Sequence, residues 1–274
     1  MERDIIFLSE IPLDKDTLSR SPGIIEVENS NVLYEEFAVV PDPQWSSLEG
    51  DDLSTILYPI DEDEFYLEQA FVALVDFPQL IREKLLELRN MKSCHAQDTF
   101  EFIENHLKTR FFTTEIFPLG ISCSLANMPT ITFNNVTQKY TGLHLDNWDA
   151  LPLEHRHLAR NRICINIGTS TRYFLFINLS VNKLADKCST PLQSFESDTD
   201  LISTFFSLNP NYPVLRVRVL PGQAYIAPTD YIIHDAYKPR PIALESAVEV
   251  YGLNTDITLT LLGRFKVAYN ENFR

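Results

Sequence analysis

The chain has 274 residues, 45% of them hydrophobic, 22% charged and 11% aromatic, which excludes a disordered polypeptide. The length suits one large domain, or one domain with an N-terminal extension. A net charge of −15 repels phosphate backbones and anionic membrane surfaces, so neither nucleic acid nor membrane is an expected partner.

The opening, MERDIIFLSEIP, lacks the basic head and apolar run of a signal peptide, and Cys94, Cys123, Cys164 and Cys188 contain no C-x-x-C pair. A reduced, cytoplasmic setting is expected. No stretch approaches the ~18 uninterrupted apolar residues of a membrane-spanning helix. Residues 1 to about 65 mix short apolar runs with turn residues and acids, which reads as an irregular layer. From 66 to 109, FVALVDF, LIREKLLELRNM and TFEFIENHL space their apolar residues as two or three core-facing helices do.

From Phe111 onward the pattern turns to β. EIFPLGISCSL, TITFNNV, GLHLDNW, RICINIG, YFLFINLS, YPVLRVRVL, QAYIAP, YIIHDA and DITLTLLGRF are short, β-branched or aromatic, and bounded by turn residues. RICINIG and YFLFINL flank GTST, as in a hairpin. DLISTFFSL, residues 200–208, interrupts the strands as a helical insertion. The expected architecture is α+β, a β-sandwich or jelly roll with helices on one face and a small-molecule site at its mouth. Two segments of one structural unit follow: an extension over 1–110 and a β core over 111–274.

TGLHLDNW places His144 and Asp146 two apart in an extended run, where alternate side chains share a face. Ninety residues on, PGQAYIAPTDYIIHDA offers a tight turn at Pro221 and Gly222 and then a strand that presents His234. Two imidazoles and a carboxylate on one mouth form a facial triad that leaves three positions of an octahedral iron open. LPLEHRHLAR holds an H-x-H at His155 and His157, but it reads as a turn and a solvated short helix. Arg156, Arg160 and Arg162 beside it could grip an acidic substrate or serve structure. Trp148 could pack locally or form part of a lid, and Cys164 reads as a small buried hydrophobe.

With H-x-D on an early strand, a distant histidine after a P-G turn and helices ahead of a β-rich half, the chain resembles the Fe(II)/2-oxoglutarate-dependent dioxygenases of the double-stranded β-helix, or cupin-like, fold. The resemblance spans roughly residues 111–266. It implies His144, Asp146 and His234 as metal ligands, with 2-oxoglutarate and O2 as cosubstrates. The activity it implies is hydroxylation of an unactivated C–H bond of a small molecule, such as an amino acid or natural-product intermediate. Halogenating members lack the carboxylate, and Asp146 retains it. The resemblance also implies a cation for the distal carboxylate of 2-oxoglutarate. Arg264, on the final strand, is the first choice, with Arg162 and Arg240 as rivals. Alternatives that keep the fold are a protein side-chain hydroxylase and a non-catalytic cupin-like binding protein.

Overall fold

Alternation in the sequence becomes register in a computed structural model that describes residues 4–28, 32–57, 70–89, 96–110, 112–125, 128–239 and 255–266. In chain order the strands are β1 Ile6–Ser9, β2 Leu18–Arg20, β3 Ile24–Glu26, β4 Val39–Pro41, β5 Ser46–Ser47, β6 Phe71–Asp76, β7 Phe112–Leu125, β8 Phe133–Asn134, β9 Lys139–Tyr140, β10 Asn161–Asn166, β11 Arg172–Ser180, β12 Leu215–Val219, β13 Gln223–Ala227, β14 Ile232–Tyr237 and β15 Thr255–Lys266. The helices are α1 Gly50–Ile56, α2 Gln79–Arg89, α3 Ala96–Arg110, α4 Val181–Lys187 and α5 Asp198–Leu208. No helix among the described residues is long and apolar enough to cross a membrane.

Six strands form one sheet in the order β1-β6-β13-β10-β15-β7, and five form a second in the order β14-β11-β12-β2-β5. Between them lie Val72 and Leu74 of β6, Phe174 and Phe176 of β11, Val217 and Val219 of β12, and Tyr225 of β13. The other face of the six-stranded sheet packs Ile163, Ile165 and Ile226 against Ile81 and Leu85 of α2 and Ile103 and Leu107 of α3. The outer face of the five-stranded sheet buries Leu175, Ile177 and Leu179 under Leu184 of α4 and Leu201 and Phe205 of α5. Helix α5 starts where the Ser197 hydroxyl accepts from the Asp200 amide at 3.1 Å, with Asp198 and Asp200 in its positive first turn.

The double-stranded β-helix, or jelly-roll, core expected from the sequence is corrected by this topology. The six-stranded sheet ends at β1 and β7 and the five-stranded sheet at β14 and β5, so neither closes on itself among the described residues. One pairing, β1 with β6, is parallel, and the fold is a mixed α/β arrangement of several open sheets. Alternation marks a strand but carries no information on which edges pair. For the same reason the expected RICINIG/YFLFINL hairpin does not form: β10 pairs with β13 and β15, whereas β11 pairs with β12 and β14.

Three local readings also change. FVALVDF is strand β6 and not a helix, because both of its faces are buried: Phe71, Ala73 and Val75 face the helices while Val72 and Leu74 face the other sheet. Such a run has no alternation to mark it as β. GLHLDNW forms only an isolated bridge at His144, and TITFNNV pairs only at Phe133–Asn134. VNKLADK, for which the sequence reading assigns no element, folds as α4, capped by the Ser180 hydroxyl, which accepts from the Lys183 amide at 3.4 Å.

Candidate metal centre

His144 and His234 are brought together by their own backbones. The His144 amide donates to the His234 carbonyl at 3.0 Å and the His234 amide returns the bond at 2.8 Å, a directly opposed antiparallel pair whose side chains share one side. The rings stand 4.6 Å apart, centroid to centroid. Beyond this isolated bridge the Asp146 amide donates to the Thr229 carbonyl at 3.0 Å, and the two-residue step from His144 returns the Asp146 side chain to the same side. One ligand atom from each of the three residues lies within 4.8 Å of the others, so His144, Asp146 and His234 form a cluster that can coordinate a metal ion.

The hydrogen bonds around the rings decide which nitrogen is offered. His144 Nδ1 lies 2.9 Å from the Gly142 carbonyl and His234 Nδ1 lies 3.3 Å from the Ile232 carbonyl. A carbonyl only accepts, so each Nδ1 carries a proton and Nε2 is the nitrogen each neutral ring can offer to a metal. Both Nε2 atoms are buried without a hydrogen-bond partner among the described residues, and they face Asp146 oxygens at 3.6 and 3.4 Å. Gly142 makes the turn possible: its φ is +80°, and a Cβ there would meet the Val39 carbonyl oxygen at 2.8 Å.

Electrostatics keep the carboxylate ionised. Burial opposes its charge, but His234, His144 and Arg162 hold Asp146 well below the usual carboxylate range. Burial likewise opposes a charge on His144, while Asp146 and Asp235 push it up to about 10. His234 moves down, chiefly through burial. Asp235 was missed in the sequence, although a carboxylate inside YIIHDA was the available signal. Its Oδ1 accepts from the amides of Ile131 at 3.1 Å and Thr132 at 3.2 Å, and its Oδ2 lies 3.4 Å from His144 Nδ1.

The three arginines of the HRHLARNR stretch all hold the loop that carries Asp146. The solvated-loop reading fits His155 and His157, which are exposed on the 3-10 helix Leu153–Leu158, but not Arg156, which is buried between them. Arg156 donates to the Asp146 main-chain carbonyl and takes both oxygens of Asp198, at 2.8 and 3.0 Å. Arg160 pairs with Asp149 at 2.6 Å, and Arg162 reaches Asp146 Oδ2 at 3.2 Å. The Arg162 guanidinium also lies 5.8 Å from the Trp148 ring, which stays 44% exposed at the rim.

Of the candidate carboxylate anchors, Arg162 lies beside the cluster. Its Nε is buried with no partner among the described residues, and it lines a cavity of about 40 Å3 with Arg172, Tyr225, Thr258, His234 and Asp235. Arg264 is exposed, donates to the Leu158 carbonyl at 2.8 Å and faces a separate cleft of about 760 Å3 shared with Arg156, Asn161 and Tyr231. Arg240 lies outside the described residues. Cys164 is buried on β10, where its sulfur accepts from Arg172 at 2.8 Å.

No model of a known protein family matches the chain, and no curated protein matches its sequence. Among solved structures it is weakly similar to an iron and alpha-ketoglutarate-dependent endoperoxidase, NvfI. One structure of that enzyme is 11% identical, with 91% of this chain and 98% of that chain covered at a TM-score of 0.38. A second is 10% identical over 90% and 96% at 0.38. A tryptophan-to-phenylalanine variant of it is 10% identical over 92% and 99% at 0.39.

Proposed function

We propose that the chain is an Fe(II)/2-oxoglutarate-dependent oxygenase that hydroxylates a small molecule. The observation that carries this reading is the pair of buried Nε2 atoms turned toward one ionised carboxylate, since two imidazoles and a carboxylate with open positions suit non-haem iron. His144, His234 and Asp146 would hold the metal. Bound there with 2-oxoglutarate, iron supplies the activation of O2 for oxidising a C–H bond.

The chain's own residues account for orientation. The Gly142 and Ile232 carbonyls lock the imidazole tautomers, and Arg156 fixes the Asp146 backbone. Arg162 is the better candidate than Arg264 to take a carboxylate of the cosubstrate. It is half-buried beside Asp146, to which one donor goes, and keeps a buried, unpartnered Nε, whereas Arg264 lies exposed on a separate cleft with a donor spent on a carbonyl.

Anaerobic addition of Fe(II) and 2-oxoglutarate tests the reading. The weak visible metal-to-ligand charge-transfer band of the chelate should develop, and exposure to air should convert 2-oxoglutarate to succinate. Protein that takes up iron yet gives neither band nor succinate would overturn it.

A further inference from the structure

Helices α4 and α5 cover only part of the outer face of the five-stranded sheet. Beyond them, alternation along β12 turns Leu215, Val217 and Val219 inward and leaves Arg216 and Arg218 outward, beside Tyr173 of β11 and Ser19 of β2. These four residues, with Lys15, Asp16, Trp45, Ser46 and Ser47, line a groove of about 330 Å3. His234 faces the opposite side of the same sheet, next to Phe176.

Arg216 is held unusually firmly for a surface arginine. Its guanidinium carbon lies 4.2 Å from the Trp45 ring centroid and 4.5 Å from that of Tyr173, so it sits between two aromatic rings, and its Nε donates to the Ser19 hydroxyl at 2.9 Å. Its two terminal nitrogens make no hydrogen bond or ion pair to a described residue. The neighbouring Arg218 is neutralised instead, by Asp14 at 2.6 Å and Asp16 at 3.8 Å. Partial burial lowers the Arg216 pKa, as it does for a cation that has lost water without gaining a counter-ion.

We propose that this groove is a second ligand site, which binds the carboxylate of a small monoanionic organic acid carrying a flat apolar body. A guanidinium clamped between rings presents its remaining donors in a fixed plane, which matches the two oxygens of a carboxylate. Trp45 and Tyr173 supply apolar walls, and the Ser47 hydroxyl, on the same face as Ser19, supplies a further donor. Three cations, Lys15, Arg216 and Arg218, meet two carboxylates, Asp14 and Asp16, so the groove neutralises one negative charge and disfavours a phosphate dianion. The volume is at the low end of small-molecule sites.

The 274-residue chain carries two tryptophans, Trp45 and Trp148, so its indole N–H signals in a ¹⁵N–¹H NMR spectrum report the two regions separately once Trp45→Phe assigns them. Titration with sodium benzoate, against matched sodium chloride, should shift the Trp45 signal saturably and leave that of Trp148 in place. Acetate should bind more weakly than benzoate, and inorganic phosphate more weakly still. Arg216→Gln should weaken benzoate at least about tenfold, the loss of one charge-assisted hydrogen bond. Arg216→Lys, which keeps the charge and loses the fork, should fall between. No saturable shift in folded wild-type protein, tighter binding of phosphate than of benzoate, or unchanged benzoate affinity in a folded Arg216→Gln or Arg216→Lys variant would each overturn the proposal.

Discussion

Replacing Arg156 with methionine tests whether a buried ion pair positions the Asp146 backbone. Arg156 is only 3% exposed, takes both Asp198 oxygens and donates to the carbonyl of Asp146 itself. Removing one partner of a buried pair costs about 3–5 kcal/mol. Asp198 keeps 29% exposure, so water recovers part of that loss and about 2–3 kcal/mol is expected. For a chain of this size the melting temperature should fall by about 4–12 °C. Asp198→Asn should cost less, and a double-mutant cycle should return a coupling of about 1–2 kcal/mol. Because the clamp reaches a candidate ligand, affinity for Fe(II) should also fall about 10- to 100-fold, measured by anaerobic titration. Wild-type melting and wild-type metal affinity in Arg156→Met would refute the reasoning. Lost stability with unchanged metal affinity would leave Arg156 a purely structural residue.

His144→Ala and His234→Ala should each lose most Fe(II) affinity while remaining folded, because each deletes one of two Nε2 atoms turned toward Asp146; wild-type iron content in either purified variant would exclude that residue as a ligand. Arg162→Ala should weaken 2-oxoglutarate by about 30- to several-thousand-fold, the equivalent of about 2–5 kcal/mol for a carboxylate left without its cation, and Arg264→Ala should change it little. The reverse pattern in a calorimetric titration would return the anchor to the final strand. Asp230 is fully buried, its Oδ1 has no partner among the described residues, and burial followed by the nearby Asp146 charge raises its carboxyl from 3.8 to about 6. A raised carboxyl binds more protons folded than unfolded, so its penalty is absent below pH 3.8, grows between 3.8 and 6, and is complete above 6. Asp230→Asn should therefore stabilise the metal-free protein by about 1–3 kcal/mol at pH 7 and not at pH 3.5, checked by thermal melts across that range. Equal stabilisation at both pH values would show that the Asp230 charge is not the cause.

The sequence by itself determined which residues could meet at one site. A two-residue step between His144 and Asp146 places both on one side of any extended segment, and an apolar strand after Pro221 and Gly222 brings His234 up from a distant part of the chain. The β content from Phe111, the alternation of LRVRV and the helical insertion were legible for the same reason, because each is written in local periodicity. Only the tertiary structure decided how those pieces pair. FVALVDF became a strand because sheets and helices bury it from both sides, and β10 and β11 parted into different sheets although four residues of turn signal lie between them. Among the described residues both sheets remain open, because closure depends on which edges meet and no local pattern records that. The arginines show the same division most sharply. Composition announced a cluster at Arg156, Arg160 and Arg162, but whether a guanidinium grips a loop, a carboxylate or a cleft depends on strand register and on which carbonyls and acids fold against it. Those partners come from segments far apart in the chain, and only folding brings them within hydrogen-bonding distance.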